Sequence, residues 1–109
     1  MERLAELLAN PPLPELTGAR EEVATAESIR QRILSEAREW APKFDQLARQ
    51  SGLRAELRHE CDNVIPCVKK LLIQADASWW TLWKGWSFYS VLKHETFAER
   101  ILGKLERES

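Results

Sequence analysis

The apolar positions of this chain fall into stripes with helical spacing, separated by short breaks marked by proline or glycine. Leu4, Leu7 and Leu8 form the first stripe, long enough for two turns between Glu2 and Ala9. Asn10-Pro11-Pro12-Leu13-Pro14 stops that helix, because proline has no N–H to donate and forces its predecessor into extended backbone. Residues 1–16 thus read as a short helix on a proline-rich arm. So short a helix is marginal in water. Leu4, Leu7, Leu8 and Leu13 are therefore the candidate contacts through which the arm docks, in cis or on another molecule.

The second stripe runs Ile29, Ile33, Leu34, Ala37, Trp40, Ala41, Phe44, Leu47 and Ala48. Its intervals of three and four predict one long helix around residues 25–51. The stripe crosses Pro42 in phase, so a kink is expected there rather than a stop. Thr17 or Thr25 is a candidate cap, and Glu21, Glu22 and Glu27 suit the positive end. Ser51-Gly52-Leu53 supplies the stop signal.

Leu57, Cys61, Val64, Ile65, Val68, Leu71, Leu72 and Ala75 make the third stripe. Pro66 interrupts it without changing its phase. One kinked helix fits, as do two short ones with Asp62 or Asn63 capping the second. Thr96-Phe97-Ala98-Glu99 reads as a capping box that opens a last helix carrying Phe97, Ile101, Leu102 and Leu105.

Between these lies the densest apolar segment. Six of the eleven residues from Trp79 to Tyr89 are aromatic: Trp79, Trp80, Trp83, Trp86, Phe88 and Tyr89. As a helix capped by Asp76 or Ser78, the segment puts Trp79, Leu82, Trp83 and Trp86 on one face, with Tyr89 at its border. Trp80 and Phe88 fall on the minor face, with Val91 and Leu92. The rival is a hairpin turning at Lys84-Gly85, but that dipeptide is a weak turn signal and isolated hairpins are rarely stable. Helix is the expectation.

The stripes together predict an all-α protein: a small bundle of about four helices over residues 17–109, preceded by the arm. At 109 residues the chain is one domain, and its 44% apolar and 30% charged content excludes wholesale disorder. Its apolar runs are too short for a membrane span or a signal peptide, which gives a cytoplasmic expectation. The net charge of −1 lacks the basic excess typical of nucleic-acid binding. Arg49, Arg54 and Arg58, or Lys69 and Lys70, keep a small dimeric nucleic-acid-binding regulator as the alternative.

Candidate chemistry is sparse. Cys61 and Cys67 are too few for a disulfide scaffold and read as reduced, buried residues. A zinc set of His59, Cys61, Cys67 and His94 has the wrong cysteine spacing, and helical geometry turns the two thiols apart. His59, two residues before Cys61, is poorly placed as its base. The four glycines are scattered, so no phosphate loop is present. No cofactor, metal or catalytic site is expected.

What remains is surplus aromatic surface. Six such side chains carry on the order of 1,000 Å², more than a small bundle readily encloses. Trp79, Trp80, Trp83, Trp86, Phe88 and Tyr89 are the candidate partner-binding residues, with Trp80 and Phe88 expected outermost. The functional expectation is a non-enzymatic protein–protein interaction module. It would be a small regulatory protein (an anti-factor, adaptor or chaperone-like factor) that forms a homodimer or sequesters a protein partner.

Overall fold

A computed structural model describes residues 3–96. The described chain is all-α, with helices α1 (Leu4–Ala9), α2 (Arg20–Ala48), α3 (Ala55–Leu72), α4 (Ala77–Thr81) and α5 (Phe88–Thr96). Among the described residues no helix is long and apolar enough to cross a membrane.

The 29-residue α2 is the spine of the fold. Its Ile33, Leu34, Ala37, Ala41 and Phe44 are at most 2% exposed, so the stripe read from the sequence is the buried face. Arm, α4 and α5 pack on this helix, while α3 packs on α5.

The arm runs antiparallel to α2, and three side chains of the spine hold it. Asp45 accepts the N–H groups of Leu4 and Ala5, Arg38 donates to the Leu8 carbonyl, and Arg30 donates to the Pro14 carbonyl. Leu4 and Leu8 are fully buried, Leu16 nearly so, and Leu7 and Leu13 are half-buried against the same core. Residues 3–16 therefore dock in cis. At roughly 1.5–3 kcal/mol for each fully buried leucine, that contact offsets the marginal stability of a six-residue helix.

Several boundaries differ from the sequence expectation. α2 begins at Arg20, not near residue 25, and neither threonine caps it. Thr17 instead forms a parallel bridge with Asp76: its N–H donates to the Ala75 carbonyl at 2.8 Å and its carbonyl accepts from Ala77 at 2.9 Å. Thr25 lies inside the helix and bonds the Glu21 carbonyl. Gly18, beside the bridge, has φ +139°, and a Cβ there would meet Glu22 Oε1 at 2.9 Å and Ala77 Cβ at 3.3 Å. Only glycine fits that passage.

α2 continues through Pro42 and ends at Ala48, three residues before the expected stop. Arg58 covers that end, donating to the carbonyls of Ala48 and Gln50 at 2.6 and 2.9 Å. α3 likewise runs unbroken through Pro66, so Asp62 and Asn63 are mid-helix residues rather than caps.

The largest departure lies between residues 77 and 96. α4 stops after five residues, a tight turn follows, and α5 starts afresh at Phe88. The segment is neither the expected continuous helix nor a hairpin. Thr96, where the capping box was expected to open, is the last described residue and belongs to α5. The rest of its capping box, with Phe97, Ile101, Leu102 and Leu105, lies outside the described residues.

Candidate partner-binding surface

Asp76 starts α4, its carboxylate accepting from the Ser78 N–H at 2.9 Å and the Ser78 hydroxyl at 2.7 Å. Trp80 then points into the core, fully buried, with its indole N–H on the Gln74 carbonyl at 3.0 Å. After Thr81 the chain tightens. Trp83 N–H bonds the Trp80 carbonyl, Lys84 N–H the Thr81 carbonyl, and Trp86 N–H the Trp83 carbonyl. Gly85, at φ +80°, supplies the left-handed step that lets the chain turn.

Two side chains of α2 fix this turn from outside the segment. Arg32 donates to the Trp86 carbonyl at 2.6 Å and to the Trp83 carbonyl at 3.5 Å. Glu36 accepts the Phe88 N–H at 2.8 Å and lies 3.3 Å from Arg32. Ser87 adds a local cap to α5 by accepting the Ser90 N–H. A charge pair one helical turn apart thus clamps both ends of the break.

The aromatic rings divide into two groups. Trp40 stacks on Phe44 at 5.2 Å and meets Phe88 and Tyr89 edge-on at 5.5 and 5.9 Å. The second group joins Trp79 to Trp80 and Trp83, then Trp83 to Trp86, with centroids 5.0–5.7 Å apart in edge-to-face geometry. His94 closes it, 5.4 Å from Trp83 and 5.7 Å from Trp86. Rings this close are packed on one another and leave no cage between them.

Burial reverses the expected places of Trp80, Phe88, Leu82 and Trp86 but not of Trp83. Trp80 and Phe88 are 0% exposed and Trp83 is 6% exposed, so none of these three offers a surface. Trp79 and Tyr89 are half-buried. Trp86 is 38% exposed and Leu82, which the helical pattern had placed on the core face, is 69% exposed. For Phe88, Val91 and Leu92 the reason is the broken phase: they belong to a new helix, whose apolar face turns inward independently of α4.

The residues that organise the site were not singled out from sequence. Arg32 and Glu36 read as solvated charges on a helix face, and nothing local marks them as partners of residues some fifty positions away. Ser87, three residues before Ser90, was a legible helix start, and Lys84-Gly85 before it a legible stop.

The other candidate groups remain apart. Among the described residues no three His, Cys, Asp or Glu side chains gather as a metal site. Cys61 and Cys67 are buried free thiols. Burial pushes both thiols up, Cys67 to about 11 with a further push from the Glu95 carboxylate. Arg49 and Arg54 are exposed, while Arg58 is turned onto the end of α2. No known protein family, curated protein or solved structure matches the chain, and the surface rests on its geometry alone.

Proposed function

We propose that this chain is a non-enzymatic protein-interaction module of a small regulatory type, which engages a protein partner through the turn between α4 and α5. The observation that carries this is Leu82 and Trp86 held out in water on a turn that is itself clamped by Arg32. An exposed tryptophan on a rigid support loses little entropy on binding, and residues of that kind dominate interface energetics. Half-buried Trp79 and Tyr89 extend the apolar area. Both thiols are protonated at neutral pH, which fits a role without covalent chemistry.

The test compares the wild type with a Leu82→Ser/Trp86→Ser double variant in quantitative cross-linking within cells, alongside their melting temperatures. Proteins retained by the wild type and lost by a variant of unchanged stability support the proposal. An identical set of cross-linked proteins for both would remove it.

A further inference from the structure

The aromatic turn carries an electrostatic sign as well as an apolar surface. From Ala77 to His94 the chain runs 18 residues without an Asp or Glu, its longest such interval, although it holds 17 acids in 109 residues. Lys84 stands in sequence between the exposed Leu82 and Trp86. It is exposed itself and forms no ion pair among the described residues. The carboxylates that border the interval are engaged: Asp76 accepts from Ser78, and Glu95 lies 3.6 Å from His94 Nδ1. Glu36, which reaches the turn from α2, accepts the Phe88 N–H and lies 3.3 Å from Arg32. An uncompensated cation is thus set among apolar side chains, on a chain whose net charge is −1.

Anionic partners fall into three classes, and the geometry favours one. Single-stranded nucleic acid stacks its bases on aromatic faces. Leu82, at 69% the more exposed of the two anchors, has no such face, and Trp86 is already packed edge-to-face with Trp83 and His94. Anionic membrane surfaces are held by clusters of roughly four to eight basic residues. The interval offers two lysines, Lys84 and Lys93. A polypeptide segment asks for less, namely a few apolar anchors and one charge that selects partner and register. Leu82, Trp86 and Lys84 supply those.

We infer that the partner segment is acidic: its apolar side chains cover Leu82 and Trp86 while an Asp or Glu beside them meets Lys84. This rests on the protein-binding role proposed above and adds the chemistry of the partner. A charge pair at the edge of an apolar contact acts on encounter rate and selectivity. Basic segments of equal hydrophobicity are therefore rejected, and binding weakens as salt rises.

Selection of displayed random peptides of about 12 residues, long enough for two anchors one helical turn apart, on the immobilised full chain tests this. The wild type should enrich peptides in which Asp or Glu flanks Leu, Phe or Trp. One enriched peptide, titrated by tryptophan fluorescence, should bind ~10-fold or more weakly to Lys84→Glu. It should also weaken between about 50 and about 500 mM salt. The same peptide with its acids changed to lysine should prefer Lys84→Glu over the wild type. Melting temperatures establish that Lys84→Glu leaves the fold intact. Enrichment of neutral or basic peptides, or binding indifferent to Lys84→Glu, overturns the inference. The protein-binding role survives that result if Leu82→Ser/Trp86→Ser abolishes capture. Peptides captured equally by that double variant remove both. Binding of phosphatidylserine–phosphatidylcholine vesicles or of an oligothymidylate, with no peptide enriched, also overturns the inference.

Discussion

The carboxylate of Asp45 lies 2.7 Å from the backbone nitrogen of Leu4, across 41 residues of chain, and 2.9 Å from that of Ala5. α1 has no capping side chain of its own, since Arg3 makes no such bond. The spine supplies the cap instead. Two N–H groups that a helix start leaves without partners are satisfied by a residue that is itself only 8% exposed. Asp45→Ala should therefore cost about 1–2 kcal/mol in urea unfolding. Asp45→Asn, which keeps one acceptor oxygen, should cost less. Hydrogen exchange at Leu4 and Ala5 should speed up in the alanine variant more than exchange within α2. Uniform acceleration would mean that the arm is not a separately held unit.

Trp80 and Trp86 should separate folding from binding. Trp80 is fully buried and hydrogen-bonded to the Gln74 carbonyl, so Trp80→Ala leaves a cavity and should cost about 3–5 kcal/mol. Trp86→Ala removes a ring more than a third exposed and should cost under about 1 kcal/mol. Denaturant midpoints of the two variants check the contrast. Equal losses would show that the Trp86 ring is structural, contrary to its place on the proposed surface.

Much of the fold was legible because it depends on periodicity. Ile33, Leu34, Ala37, Trp40, Ala41 and Phe44 had to share one side of a helix, and they are the buried side of α2. The insufficiency of the Leu4–Leu8 helix was equally plain, although its site on α2 was not. The aromatic segment failed for a definite reason. Assigning faces at 100° per residue carries Trp79 and Phe88 in one frame, whereas the chain changes frame at Gly85. What holds it in the new frame is Arg32 on the Trp83 and Trp86 carbonyls and Glu36 on the Phe88 N–H. These long-range backbone contacts leave no trace in hydrophobic spacing. Within the aromatic segment Trp80 and Phe88, expected outside, are buried, and Leu82 and Trp86, expected inside, are exposed, whereas Trp83 is buried as the helical pattern implied.

Arg32 and Glu36 give a direct test of that account. Arg32→Ala removes the donor for both carbonyls of the turn and should loosen it, at a cost of roughly 1–2 kcal/mol. Glu36→Gln retains an amide oxygen for the Phe88 N–H and should cost less, whereas Glu36→Ala should resemble Arg32→Ala. Trp83 and Trp86 report the change through their fluorescence, which should shift to longer wavelength as the turn opens to water. A loss of stability with an unaltered emission spectrum would place the effect elsewhere on α2.

Cys67 makes stability depend on alkaline pH. Desolvation holds its thiol at about 11, against 9.0 for an ordinary cysteine, and Glu95 adds to the shift over the smaller opposing pull of Lys70. The folded state therefore keeps a proton that the unfolded chain releases between these values. Stability contributed by this group is complete below pH 9 and is lost as pH rises through 11, because the unfolded state binds fewer protons in that window. A two-unit difference converts to at most about 2.7 kcal/mol, and screening by nearby solvent reduces it. Cys67→Ala lowers stability overall by shortening a buried side chain, but it should flatten the decline between pH 9 and 11. Urea midpoints of both proteins across that range give the comparison, with lysine titration common to both. Parallel curves would mean that the Cys67 thiolate is solvated in the folded protein.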